Sequence, residues 1–152
     1  MRLETEDGLS LELRILGYQF PDMRTNSQDS NWLIIEGEVA HPRGAWTFRD
    51  PCLLAYEVSR LADWLGSLAR GTPTSGEKSF MEPNISFRSV ESPTGPNVRV
   101  YFELEARPPW APSDVVDEEQ CWIDFPVSEL ELHRAALSLL DQLKKYPQRA
   151  AQ

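Results

Sequence analysis

The chain has 152 residues, 41% of them hydrophobic and 10% aromatic, which is enough for one globular core without disulfide staples and too apolar for a disordered chain. Fifteen basic residues against 24 acidic ones give a net charge of -9, which argues against a phosphate backbone or an anionic membrane as partner and favours a basic protein or a cation. Two cysteines and two histidines, far apart in the chain, are too few for a disulfide framework or a zinc site, so nothing calls for a metal or a cofactor.

In chain order, Leu9, Leu11, Leu13 and Ile15 alternate with polar residues and predict an antiparallel strand with one wet face. Gly17 to Ser30 reads as a polar loop carrying Tyr18 and Phe20, with no periodicity from Asp22 onward. A second strand follows on Leu33, Ile35 and Val39. His41-Pro42-Arg43-Gly44 makes a turn, and Ala45 to Phe48 resumes an extended pattern. Asp50-Pro51 reads as an N-cap and a first helical residue. Leu54, Val58, Leu61, Leu65 and Leu68, widened by Trp64, then form one helical stripe that Gly71 ends, and the stripe is expected to pack on a sheet.

Thr72 to Glu77 reads as a loop, and Lys78 to Glu82, Asn84 to Glu91 and Val98 to Glu105 as strands, the last two joined by the turn Ser92 to Pro96. The prolines between Ala106 and Asp117 predict an irregular connection. Gln120 to Val127 is a strand with Cys121, Ile123, Phe125 and Val127 on one side. Ser128 and Glu131 then form a capping box for a last helix running to about Tyr146, with Leu130, Leu137, Leu140 and Leu143 as its main apolar positions and Pro147 as its stop. There is no internal repeat and no second core. The fold class is α+β: a single domain with a largely antiparallel sheet of about six or seven strands and two helices.

Placing the alternating apolar residues inward, with Leu104 among them, collects Glu12, Trp32, Ile34, Glu36, Glu38, Tyr101, Glu103, Glu105, Trp122 and Asp124 on the opposite side. Aromatic anchors within one sign of charge suit a protein-binding patch, since rings supply buried area and charges steer a basic partner. The competing reading has a helix over Trp32, Ile34 and Trp122, with the acids only ringing it. Glu103 and Glu105, about 7 Å apart on one strand face, come within reach of a hydrolytic carboxylate pair, although any solvated strand shows such pairs. Glu82 and Arg107 at strand ends suit either a structural ion pair or a binding rim, and the run Asp114, Asp117, Glu118 and Glu119 reads as a solvated loop. No phosphate loop, nucleophile elbow or paired-cysteine motif is present.

The blocks Gly17-Tyr18-Gln19-Phe20-Pro21, Asn31-Trp32-Leu33, Trp46 to Leu54, Trp64-Leu65, Phe80 to Asn84 and Phe102 to Trp110 together resemble the WapI family of bacterial immunity proteins, from about Gly17 to the last helix. The resemblance implies a non-catalytic protein that protects a cell by binding and blocking the nuclease domain at the C-terminus of a wall-associated toxin. A basic toxin nuclease domain is then the expected partner, bound through Glu12, Trp32, Glu36, Glu38, Tyr101, Glu103, Glu105, Trp122 and Asp124. The alternative is a cytoplasmic binding module, monomeric or homodimeric, in which the same aromatics pair with themselves. The N-terminus lacks a secretory apolar run and no stretch has the length of a membrane span, so a cytoplasmic location is expected.

Overall fold

The computed structural model describes residues 1–24, 28–74, 76–93, 95–111 and 121–149. Eight strands form two antiparallel four-stranded sheets, where the alternation predicted one larger sheet. The first holds β1 (Arg2–Glu4), β2 (Ser10–Tyr18), β3 (Trp32–Ala40) and β4 (Trp46–Leu54) in sequence order. Helix α1 (Ala55–Ala69) separates it from the second, made of β5 (Glu77–Lys78), β6 (Ile85–Val90), β7 (Asn97–Phe102) and β8 (Trp122–Pro126), and α2 (Glu129–Lys145) closes the order. The α+β class holds. Leu11, Leu13, Leu33, Ile35 and Val39 from one sheet and Phe87, Val98, Val100, Phe102 and Phe125 from the other are buried in one cluster with both helices. Phe102 meets Trp46 and Phe48 edge-on at 5.3 and 6.4 Å, so the two inner faces meet and the outer faces point away from the shared core.

The Asp50-Pro51 pair does not start a helix. β4 runs through it, and the pairing with β3 slips between Ile35, opposite Asp50, and Leu33, opposite Leu53. The slip is a bulge on an edge strand, and both features tolerate a residue without an N–H. The apolar Cys52-Leu53-Leu54 gains more from burial at the strand end than from a helical turn. α1 therefore begins at Ala55, and the Glu57 carboxylate accepts the Leu54 N–H at 2.9 Å and the Met81 N–H at 2.9 Å. Val58, Leu61, Trp64 and Leu65 are buried as the stripe predicts, and Gly71 ends the helix at φ +62°.

The last helix keeps its predicted cap, with Ser128 Oγ accepting the Glu131 N–H at 3.2 Å, but it is rotated from the expected face. Leu132, Ala135, Ala136 and Leu139 are buried, whereas Leu130, Leu137 and Leu140 are exposed. The two alanines let α2 lie close against α1, where Gly66 faces Ala136. Small residues carry little weight in a hydrophobic pattern, so the leucines misdirected it. α1 consequently packs on α2 and, through Trp64 at 6.5 Å from Phe87, on the second sheet.

α2 also covers the part of β2 that short β1 leaves bare. The Gln142 amide accepts from Ile15 N at 2.7 Å and donates to Leu13 O at 3.3 Å, and Tyr146 donates to Leu16 O at 3.1 Å, so side chains complete an edge that would otherwise invite pairing. Beyond the helix, Arg149 donates to the carbonyls of Phe20, Met23 and Pro21 and lies 3.5 Å over the Tyr18 ring, tying the predicted loop after Gly17 to the chain end.

Candidate functional site

The nine predicted site residues fall on three separate surfaces. Glu12, Trp32, Glu36 and Glu38 share the outer face of the first sheet, and Tyr101, Trp122 and Asp124 that of the second. Glu103 and Glu105 lie on neither, because β7 stops at Phe102 and a 3-10 turn spans Leu104–Ala106. A single continuous acidic face is therefore not formed.

On the first sheet Glu12 stands directly opposite Glu38, a repulsive cross-strand pair. Arg14 answers it. Its guanidinium bonds Glu12 at 3.1 Å, Glu36 at 2.9 Å and Glu38, and these carboxylates, Glu36 first, hold its pKa above the ordinary arginine value. Arg2 pairs with Glu4 at 3.0 Å and with Glu12 at 3.5 Å, and Arg49 stands opposite Glu36. Four carboxylates thus face three arginines.

The second sheet is balanced more completely. Arg99 binds Asp124 through two bonds of 2.8 and 3.0 Å while lying 3.6 Å over the Trp122 ring, and Arg88 pairs with Glu77 at 2.9 Å while lying 5.5 Å over Tyr101. Trp122 is still 41% exposed, so no helix covers it.

The corner where β4, the connection before β6 and the turn after β7 meet has the opposite character. Asn84, only 1% exposed, donates through its amide nitrogen to Glu105 at 3.0 Å and to Asp50 at 3.3 Å, drawing the two carboxylates together. Burial, then the Glu105 charge and more weakly that of Glu82, push the Asp50 carboxyl above its ordinary pKa, although the Asn84 bond opposes them. Among the described residues no lysine or arginine forms an ion pair with Asp50, Glu82 or Glu105.

The turn itself is imposed by packing. Trp46 donates its indole N–H to Ala106 O at 3.0 Å, and Ala106 is fully buried. The chain must bend before it, so Leu104 takes φ +47°, the one positive φ outside glycine among the described residues, and stands 55% exposed instead of in the core. Met81, 52% exposed, adjoins Glu82 on the facing connection, and the Glu103 N–H bonds to Asn84 O at 2.9 Å, joining the two segments. The corner therefore combines Asp50, Glu82 and Glu105, which form no ion pair among the described residues, with two large apolar side chains in solvent. Sequence reasoning misses Asp50, Met81 and Leu104 as site residues, whereas it offers Glu82 as part of a structural ion pair or a binding rim, and the acid-rich Glu103-Leu104-Glu105 is the signal that could have pointed here.

Little in the geometry suggests chemistry. The strand spacing that would pair Glu103 with Glu105 for hydrolysis is lost in the 3-10 turn. Burial and the charge of Asp50 push the Cys52 thiol up to about 12, which keeps it protonated and unreactive. Among the described residues no group of three or more His, Cys, Asp or Glu side chains is placed to hold a metal ion, and no helix is long and apolar enough to cross a membrane. The predicted acidic run Asp114 to Glu119 lies outside the described residues.

Two four-stranded sheets on a shared core, with polar outer faces and a corner where Asp50, Glu82 and Glu105 form no ion pair among the described residues, define a small α+β protein. The chain belongs to the immunity protein WapI-like family, whose model matches residues 2–147. That family carries a role in toxin immunity. No curated protein matches the chain.

Proposed function

We propose that this protein neutralises the nuclease domain of a cognate toxin by seating its acidic corner in the cationic cleft with which such a domain holds nucleic acid. The observation that carries this reading is the convergence of Asp50 and Glu105 on Asn84, with Glu82 beside them and no paired cation among the described residues. A lysine or arginine from a partner would relieve a repulsion that the free protein sustains, so association gains where the outer sheet faces, already balanced by their own arginines, gain less. Leu104 and Met81 would supply apolar contact at the centre of the patch. Family membership, a net charge of -9 and a carboxylate geometry without a catalytic arrangement support a cytoplasmic, cofactor-free binding protein.

The test is a titration of the purified protein against a basic nuclease domain of the toxin class this family answers, at two salt concentrations. The double variant Glu82→Lys, Glu105→Lys is expected to lose on the order of 100-fold in affinity, mainly through faster dissociation, and to lose protection against nuclease activity. Glu38→Gln on the first sheet should change affinity by less than about threefold, as is usual for a rim charge. Equal losses from the two variants would return the site to the sheet face. Unchanged affinity in the corner variant would overturn the reading.

A further inference from the structure

α2 presents one face to the core and leaves the opposite face bare. Leu130, Leu137 and Leu140 on it are 56%, 48% and 39% exposed, three of the seven exposed large hydrophobics among the described residues and the only ones that share an element. They are spaced by seven and three residues, so they form a stripe along the helix. None belongs to the acidic corner or to the outer faces of the sheets.

The charges beside this stripe are arranged about its middle. Arg134 lies three residues before Leu137 and Asp141 four residues after it. If a second copy of the helix lies antiparallel with the two-fold axis between Leu137 and Ser138, Arg134 of each chain falls opposite Asp141 of the other. The acidic first turn, with Glu129 and Glu131, then meets the basic last turn, with Lys144 and Lys145, and the two helix dipoles oppose. A parallel pairing would set like charges against like. Within one chain, Asp141 holds only Lys144, at 2.6 Å with both side chains more than two-thirds exposed, and Arg134 has no ion-pair partner among the described residues. Both are available to a partner at small cost.

We infer that the outer face of α2 is a self-association surface, on which two copies of this chain pair antiparallel through Leu130, Leu137 and Leu140 with reciprocal Arg134 to Asp141 contacts. A 17-residue helix is about 25 Å long, so the contact is of the small, reversible class.

Sedimentation equilibrium of the full chain from about 1 μM to about 1 mM, the range over which weak complexes form, tests it. The expected result is a mass that rises with concentration toward twice the monomer. Leu137→Asp should abolish the rise. Arg134→Asp alone and Asp141→Arg alone should each stay monomeric, since either change creates two like-charge contacts, whereas an equimolar mixture of the two variants should associate because both pairs are restored across it. Circular dichroism checks that each exposed substitution leaves the fold intact. A constant monomer mass for the unmodified chain would overturn the inference, as would a dimer that survives Leu137→Asp. Monomeric single variants that fail to associate when mixed would overturn the antiparallel register.

Discussion

The outer face of the first sheet and the acidic corner use the same side chains in opposite balance. On the sheet, Glu12, Glu36 and Glu38 surround Arg14, and the repulsion of Glu12 with Glu38 is answered within the fold. At the corner, Asp50 and Glu105 are drawn together by a neutral amide, which satisfies hydrogen bonding and leaves the charge unanswered. Counting carboxylates therefore misleads about where a cationic partner gains most. What matters is whether the fold has already supplied the counter-charge.

The largest expected effect comes from removing the scaffold that both regions share. Gly37 on β3 stands opposite Phe48 on β4, and the Phe48 ring occupies the space a side chain at 37 would need: an ideal Cβ there would fall 2.1 Å from two ring carbons. Gly37→Ala must push the ring out of the core or break the β3 to β4 pairing that places both Glu36 and Asp50. A loss on the order of 3 kcal/mol is expected, measured by denaturant unfolding. A loss no greater than that of an ordinary surface substitution would mean the ring can move freely.

A smaller effect should separate the two regions. Arg14→Gln leaves Glu12, Glu36 and Glu38 without their shared cation, so the melting temperature at neutral pH should fall, and added salt should shrink the difference by screening the exposed carboxylates. Toxin affinity should hold if the corner is the contact. A variant as stable as the parent in low salt would mean that water alone balances the sheet face.

The sequence made each strand's buried face legible because period-two alternation maps directly onto the pleat: Leu11, Leu13, Leu33, Ile35, Val98, Val100, Ile123 and Phe125 are all inward as read. The capping box at Ser128 was legible for a similar reason, being local chemistry at fixed spacing. What alternation does not encode is which strands share a sheet, so surfaces that face apart were read as one. The two misplaced segments had tertiary causes. β4 absorbs Pro51 because it is an edge, and the buried Ala106 bends the chain so that Leu104 leaves the strand. The rotation of α2 came from Ala135 and Ala136, whose value lies in letting α1 approach and is invisible to hydrophobicity alone.

The smallest expected effect has the opposite sign to the others. Burial and Glu105 raise the Asp50 pKa above its ordinary value of 3.8, so the folded protein holds that proton more tightly than the unfolded chain. Stability from this group is greatest below pH 3.8 and falls as pH rises through the folded-state pKa, after which the deficit stays constant to neutrality. Asp50→Asn keeps an oxygen to accept the Asn84 amide and removes the charge. The variant should melt slightly higher than the parent at pH 7, and the difference should close as pH falls below 4. It should also bind a basic partner more weakly, because the charge that costs the free protein stability is the one a cation would meet. A rise in melting temperature with unchanged toxin affinity would separate the two effects and leave the corner strained for a reason other than recognition.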